Sequence, residues 1–563
     1  MYLEPGLTFA LSGVQLSINA SDTYVILTSE GEGATIDAGG LSRAIEVSNG
    51  ARLKMRGVHV TAGTTRPTHR PGDNIDGGCL LIRGALSHVS LSHMRMSGCS
   101  APMGGAIAAM GGSAELTGVN ITGSRATGPM LAGGGALLVS DGGFATLTDT
   151  AIVDAEANGQ TAMGGAVLVQ SGAKAVLHAT HLEQCVASAQ LNALGGAVAV
   201  RGGELVIAQG SSILRASCTQ SHPHNSMRRA GGGVYVEGAS AHIADTTIRE
   251  VSVSGQRWAN EQGAAVAVQS GSAQLERTSI TECTSMGNWG CGAIFAQSGV
   301  LSVRDSSITN STTGGFSWAY GACVSAGMGS EAQVTLVSTT LTNCYAFANR
   351  ASYGGGVGMH TFRGSLAMHG CVVQNATAAG PVPRVPGYHE SVDGGGLHLD
   401  GQRGYAVCTV TDTKFVDCHA SGPLPRGGGI SIWNILKATL ERVQIINASL
   451  SGDEGAMGGG IRIAGGTSQV SELVIIGATT RASTTANALG GGIMMDAGEA
   501  VISRSTVEHC ESGGRGGGLF VDGGELQLRN GTVLRDNRAP VGSTLATQGG
   551  LAFYRLPAPP GSL

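Results

Sequence analysis

The sequence predicts an all-β chain folded as a single-stranded right-handed parallel β-helix, a solenoid of about fifteen or more coils. Three observations predict this fold. A glycine-rich motif recurs with a mean period of about 31 residues, since fourteen steps separate its third position at Cys79 from that at Gly518. Each repeat contains short runs of alternating apolar residues, as β-strands do. None of the repeats has the 3.6-residue periodicity of a helix.

The recurring motif is a pair of small residues followed by an apolar run. Corners between short strands need positive φ angles, which glycine adopts without strain, so we interpret these glycines as structural. They precede strands rather than a helix with Lys-Ser/Thr, which argues against a phosphate-binding loop. The clearest copies begin at Gly104, Gly164, Gly195, Gly231, Gly394, Gly427, Gly458, Gly490 and Gly516.

One repeat contains three strand-like segments, which in the copy that begins at Gly164 are residues 166–169, 175–177 and 181–185. Side chains alternate along the first segment, so Val234 and Val236 are expected to face the core while Tyr235 faces away. Successive coils should stack roughly 4.8 Å apart. We expect residues 1–75 to form the first coils, 76–540 the repeats, and 541–563 a final strand and a linker-like tail.

The composition narrows the functional class. The formal net charge is −5, and no basic run supplies a local patch, so nucleic-acid binding is not expected. The sequence contains no stretch of about 20 apolar residues, so no membrane span is predicted. The N-terminus lacks the basic and apolar segments of a signal peptide. The proline-rich end from Leu556 resembles the start of a linker, so the chain is expected to be part of a larger protein.

Two tetrapeptides carry a resemblance to a known family. Gly104 to Ile107 is similar to the Gly-Gly-Ala-Ile/Leu/Val element, and Phe415 to Cys418 to the Phe-x-x-Asn element, of the passenger regions of chlamydial polymorphic outer membrane proteins. Related β-helix ectodomains occur in protist and algal surface proteins. The resemblance implies an extracellular or cell-surface β-helix. This chain departs from the pattern, because Cys, Ser or Ala stands more often than Asn at the last position.

The chain has twelve cysteines, which is many for a cytosolic protein. Most are interpreted as small buried side chains, and Cys291 with Cys323 and Cys371 with Cys408 are the pairs expected to form any disulfides. No zinc-type spacing occurs, so neither a metal nor a cofactor is predicted. Six sequons are candidate glycosylation sites on a secreted chain, at Asn19, Asn120, Asn310, Asn375, Asn447 and Asn530.

Candidate acid–base residues cluster in the longest insert and the strand after it, where a solvated loop is the alternative interpretation. They are Arg384, His389, Glu390, Asp393, His398 and Asp400. Enzymes that cleave pectin on this scaffold place acidic residues on adjacent coils for acid–base work or Ca²⁺ binding. No Asp-Asp or Asp-x-Asp run occurs here, so the sequence favours a protein without catalytic activity.

Four aromatic residues lie in three successive inter-repeat segments and are candidate binding residues: Trp258, Trp289, Phe316 and Trp318. Three functional hypotheses follow. The first is a non-catalytic extracellular structural or adhesion module that binds carbohydrate or a cell-surface protein through variable loops. The second is a pectate-lyase-like polysaccharide lyase or glycoside hydrolase. The third is a partner-binding segment of a receptor ectodomain. The sequence does not predict an oligomeric state.

Overall fold

A computed structural model describes residues 1–65, 76–220, 228–255, 260–327, 331–361, 363–380, 391–402, 405–484 and 487–554. The fold is a right-handed parallel β-solenoid of about 16 turns with a period of about 31 residues, which confirms the predicted fold class. The described ranges contain no α-helix. Two compact units divide the chain, an N-terminal unit at Met1–Cys283 and a C-terminal unit at Thr284–Leu563.

A coil of the N-terminal unit illustrates the plan. Its first strand is Val167–Gln170, its second is Lys174–His178, and its third is His181–Glu183. Each strand pairs in parallel with its equivalent in the next coil, so that Val167 faces Val198 and Leu182 faces Ile213. These three strands match the predicted segments.

The segment between the third strand and the next glycine pair is itself a strand, which differs from the predicted variable loop. In the coil that begins at Gly164 this fourth strand is Val186–Leu194, and it pairs with Glu156–Met163 of the coil before. Its backbone groups are hydrogen-bonded to the neighbouring coil, so this segment is a paired strand and not a loop. The connections from a third strand to the next first strand therefore stack as regularly spaced strands, which we call rungs.

First and fourth strands position the features discussed below. In the N-terminal unit, first strands are Leu16–Ile18, Ile45–Ser48, Leu80–Arg83, Ile107–Met110, Leu137–Ser140, Val167–Gln170, Val198–Arg201, Val234–Glu237 and Val266–Val268. Its fourth-strand segments are Ser100–Ala101, Arg125–Thr127, Leu131–Gly133, Glu156–Met163, Val186–Leu194, Ser217–Gln220, Arg228–Ala230, Ser252–Ser254 and Asn260–Gln262.

In the C-terminal unit, first strands are Ile294–Ala296, Val324–Gly327, Val357–His360, Leu397–Asp400, Leu519–Val521 and Leu545–Thr547. Three others continue into the second strand as Ile430–Glu441, Ile461–Ser471 and Ile493–Ser503. Its fourth-strand segments are Thr284–Cys291, Thr312–Tyr320, Tyr345–Ala348, Ala351–Tyr353, Thr377–Ala379, Ser391–Asp393, His419–Gly422, Pro425–Arg426, Ser449–Gly452, Ala456–Met457, Thr479–Ala482, Ala488–Leu489 and Glu511–Ser512.

Most first strands are buried on both faces. Val234 and Val236 lie in the central core, as predicted, but Tyr235 on the opposite face is also buried. It belongs to an outer apolar layer in which the first strands meet the ends of the fourth strands, represented by Met163 and Leu194. The outward column of the first strand is therefore a second, thinner core and not a solvent-exposed face.

The glycine pair that precedes each first strand has two separate steric reasons. Gly394 has a φ of +68°, and an added Cβ would lie 2.3 Å from the carbonyl oxygen of Leu397. Gly395 meets the next coil, where its Cβ would lie 2.3 Å from the carbonyl oxygen of Gly428. The corner thus needs a left-handed backbone at the first position and close backbone stacking at the second.

Two disulfides cross the interior of single coils. Cys79 joins Cys99 in the N-terminal unit, and Cys323 joins Cys344 in the C-terminal unit. Both link the third position of the glycine motif to the residue that ends the third-strand corner. The equivalent pair elsewhere is Gly396 and Cys418, where an added Cβ would lie 3.0 Å from the Cys418 sulfur. We call this pair of positions the coil brace.

The disulfide partners expected from sequence were wrong. Cys291 lies in the outer layer beside Phe295 and Tyr320, whereas Cys323 forms its disulfide across the central core. Cys408 lies within a second strand opposite Leu366, while Cys371 lies in the corner that follows the neighbouring second strand. The eight cysteines outside the two disulfides are all buried, as interpreted from sequence: Cys185, Cys218, Cys283, Cys291, Cys371, Cys408, Cys418 and Cys510.

Candidate functional site

Three of the predicted acid–base residues come together in the C-terminal unit, on one coil. Asp393 ends a fourth strand, and His398 and Asp400 follow on the adjoining first strand. The other predicted members, Arg384, His389 and Glu390, lie outside the described residues. Neighbouring coils complete the group, which we call the Asp393 cluster: Tyr353, His360, Asp393, His398, Asp400, Arg426, Trp433, Arg462 and Asp496.

Asp393 is the centre of the cluster. Its side chain is fully buried, and Ser391 donates a hydrogen bond to its Oδ2. Arg426 on the next coil and Arg462 on the coil after that approach the carboxylate at 3.8 and 3.9 Å. Arg462 reaches across the intervening coil because the small Ser431 occupies the position between His398 and itself in the ladder. Two guanidinium groups thus compensate one buried carboxylate.

His398 is buried beside that carboxylate. Its ring stacks on Tyr353, with 4.9 Å between the ring centroids, and neither ring nitrogen has a hydrogen-bond partner among the described residues. Burial lowers the pKa of His398 to about 4, although the negative charges of Asp393 and Asp400 oppose this shift. The imidazole is therefore neutral at pH 7.

The edge of the cluster at His360, Asp400 and Asp496 is more accessible than its centre. The Nδ1 atom of His360 lies 2.8 Å from Oδ2 of Asp400, and both side chains are partly exposed. Arg462 donates a hydrogen bond of 2.7 Å from Nε to Oδ2 of Asp496. Arg426 and Arg462 both lie over the ring of Trp433, at 5.9 and 5.7 Å from its centroid. The charged groups of this edge are held by each other and by an aromatic ring.

Sequence reasoning missed six members of the cluster: Tyr353, His360, Arg426, Trp433, Arg462 and Asp496. The residues at equivalent positions of successive coils could have indicated them. The residue before the glycine pair is Met163 or Leu194 in two coils of the N-terminal unit, but Tyr353, Asp393 and Arg426 in three successive coils of the C-terminal unit. The residues before the glycine pairs pack against the outward-facing residues of the first strands. Polar residues at both kinds of position therefore bring their charges into one outer layer.

The geometry weighs against acid–base catalysis at Asp393 and His398. Both side chains are fully buried, and a polymer needs direct access to a catalytic acid or base. Within the described ranges, no group of three or more His, Cys, Asp or Glu side chains is arranged to hold a metal ion.

A second feature of the C-terminal unit comprises exposed and half-buried rings, with one methionine, on three successive fourth strands. We call it the aromatic strip: Met286, Trp289, Phe316, Trp318, Tyr345 and Phe347. Trp289 and Trp318 are register partners whose rings meet edge to face with centroids 4.9 Å apart. The rings of Tyr345 and Phe347 are stacked at 5.5 Å. Three of the four predicted binding residues therefore lie in the strip, and Trp258 lies outside the described residues.

The strip leads toward the Asp393 cluster. Trp318 and Tyr353 pack on a buried group formed by Cys291, Phe295 and Tyr320. Tyr320 in turn stacks on Tyr353, with centroids 5.2 Å apart. Rings therefore continue from Trp289 to the Tyr353 side of the cluster within this unit.

All six sequon asparagines are exposed. The sequence places four of them around the corner after the third strand: Asn120, Asn310, Asn375 and Asn447. Asn310, Asn375 and Asn447 do occupy that corner, with φ values near 50°. Asn120 does not, because it begins a third strand instead of following one. Asn343 links two of the corner positions, because it donates to Asn310 at 2.8 Å and accepts from Asn375 at 3.2 Å.

Comparisons with protein-family models and with curated proteins identify no relative from which a function could be inferred. No protein-family model matches the chain, and no curated protein matches it. Among the described residues, no helix has the length and apolar character needed to cross a membrane.

Proposed function

We propose that this chain is a non-catalytic extracellular structural or adhesion module that binds a carbohydrate or a cell-surface partner. The observation that carries the proposal is the pair of disulfides at the coil brace, Cys79–Cys99 and Cys323–Cys344. Disulfides persist in oxidising compartments and are rare in the cytosol. The exposed sequon asparagines agree with such a location, and the resemblance to surface-protein β-helices points the same way.

Rigidity supports a presenting role. Parallel pairing between equivalent strands satisfies the backbone of the first, second and third strands in the representative coil, and the fourth strand is paired as well. Binding residues on such a scaffold are held in place before a partner arrives, which lowers the entropic cost of association. The partly exposed aromatic strip is the surface best suited to that use.

A screen for binding and turnover tests this proposal. The purified chain is incubated with a panel of plant, algal and microbial polysaccharides, and both retention and newly formed reducing or unsaturated ends are measured. We expect retention without product. Product release by the native chain that Asp400→Asn abolishes and Asp412→Asn preserves would overturn the proposal.

The second candidate is a pectate-lyase-like polysaccharide lyase or glycoside hydrolase. One observation favours it, namely that acidic residues of different coils, Asp393 and Asp496, meet at Arg462. The same screen separates the two candidates, because only an enzyme releases product. A receptor-segment role differs from adhesion by its ligand, which would be a protein retained by the chain when no polysaccharide is.

A further inference from the structure

We propose that the aromatic strip of the C-terminal unit is a binding platform for a neutral glycan chain. This inference rests on the proposed function and assigns its ligand class. It starts from the exposure of the strip, since 37% of Met286, 46% of Phe316 and 43% of Tyr345 remain accessible on adjacent rungs. Such large apolar side chains cost free energy in water unless a ligand covers them.

The rings are held in fixed orientations. Trp289 and Trp318 fix each other edge to face, and the guanidinium group of Arg350 lies 5.6 Å from the centroid of Trp318. Phe347 packs over Gly314, where an added Cβ would lie 2.6 Å from the ring. Glycine at this rung therefore leaves room for the Phe347 ring and for the Met286 sulfur, which the added Cβ would meet at the same distance. Rigid rings of this kind offer contact area at a low entropic cost.

Polar groups that are suited to hydroxyls stand between the rings. Ser317 donates a hydrogen bond of 2.8 Å to Oδ1 of Asn288, which places a hydroxyl and an amide beside the two tryptophans. Thr284 and Thr312 are register partners at the start of the same strands and are partly exposed. Sugar rings present apolar C–H faces to aromatic rings and hydroxyls to such side chains, so the strip offers both halves of that recognition.

Charge distinguishes a neutral glycan from other ligands. The strands Thr284–Cys291, Thr312–Tyr320, Tyr345–Ala348 and Ala351–Tyr353 contain no acidic or basic residue, and Arg350 in the connection between the last two is the single charge of residues 345–353. A protein partner recognised by charge or an acidic polysaccharide would need basic side chains here. A surface of rings, hydroxyls and amides is matched by an uncharged polyhydroxylated chain.

The test uses the full chain with cello-, xylo-, manno- and laminari-oligosaccharides in titration calorimetry, and insoluble cellulose and chitin in retention assays. We expect at least one of these probes to bind. Phe316→Ala and Tyr345→Ala should each weaken that binding roughly tenfold or more, as is typical of aromatic anchors. Both side chains are exposed, so the thermal unfolding curve should be unchanged.

Tyr405→Ala is the matched control. Tyr405 is 58% exposed in the same unit and also faces an arginine, with Arg363 5.7 Å from its ring centroid, but it lies outside the strip. Its removal should leave affinity within about twofold. Failure of every neutral glycan to bind, binding that is insensitive to the two strip variants, or strip-dependent binding of a protein alone would each overturn the inference. Those results leave the proposed function standing if no product is released, whereas product release would overturn the proposed function itself.

Discussion

At the scale of single residues, the buried side chains of His398 and Asp393 lead to the clearest predictions about stability. His398 is buried as a neutral ring, and burial lowers its pKa to about 4. In the unfolded chain its pKa returns to near 6.5, so between these values the unfolded state binds the additional proton. The stability contributed by the neutral ring is therefore present above about pH 6.5. It decreases as the pH falls toward 4.

The first prediction is a pH-dependent loss of stability. Between pH 6.5 and 4, His398 should account for a decrease of about 3 kcal/mol in the free energy of unfolding, because each pKa unit is worth about 1.4 kcal/mol. Denaturant unfolding at several pH values measures it. His398→Gln should flatten this slope. Equal slopes for native protein and His398→Gln would contradict the assignment.

The second prediction concerns compensation of the buried carboxylate. Arg462→Met removes one of the two cations near Asp393 and should lower the free energy of unfolding by about 3 kcal/mol or more, since it leaves a buried charge undercompensated. Asp393→Asn added to that variant should recover part of the loss. Arg504→Met is the control, because Arg504 meets Glu472 at the surface and such pairs contribute about 0–1 kcal/mol. A double variant no more stable than Arg462→Met would refute the coupling.

At the scale of the element, the coil brace explains why only some cysteines form disulfides. A disulfide forms where both positions hold cysteine, as in Cys79–Cys99 and Cys323–Cys344. Cys185 and Cys418 remain thiols because the residues opposite them are Ala166 and Gly396. The spacing of cysteines in the sequence led to disulfides being predicted between neighbouring coils. The disulfides within one coil could not be predicted in this way, because they depend on how the corners of that coil fold back.

A third prediction follows from the brace. Ala166→Cys should form a new disulfide with Cys185, detected as the loss of two hydrogens in the intact mass under non-reducing conditions. In the chain-entropy description, closing a loop of this length stabilises the fold by roughly 3 kcal/mol, seen as a higher melting temperature. Ala197→Cys is the control, because Ala216 occupies the opposite position of its coil. An Ala166→Cys variant that keeps both thiols free after air oxidation would show that the two positions do not face each other.

The individual strands also show how much of the fold could be predicted from the sequence. The repeats, the three short strands and the inward direction of Val234 and Val236 follow from glycine spacing and alternation. The fourth strand did not follow, because its length varies and only pairing with the neighbouring coil makes it a strand. For the same reason the outward column was expected to be exposed, when the ends of the fourth strands in fact cover Tyr235. The Asp393 cluster was predicted only in its consecutive part, since Arg462 and Asp496 join it through stacking.

At the scale of the whole molecule, the two units share one coil plan and differ in their outer layers. The layer of the N-terminal unit is apolar, as in Leu168 and Leu194, whereas that of the C-terminal unit contains the Asp393 cluster. The aromatic strip also belongs to the C-terminal unit. A shared scaffold thus carries a changed surface in one unit, which is where we place binding.

The measurement that tests the central claim most directly is disulfide mapping by mass spectrometry of the chain produced in an oxidising secretory host. A braced extracellular solenoid predicts linked peptides that join Cys79 to Cys99 and Cys323 to Cys344, with the other eight cysteines labelled as thiols after unfolding without reductant. Twelve labelled thiols, or a link between Cys291 and Cys323, would contradict the arrangement of the coils and remove the observation on which the proposed function rests.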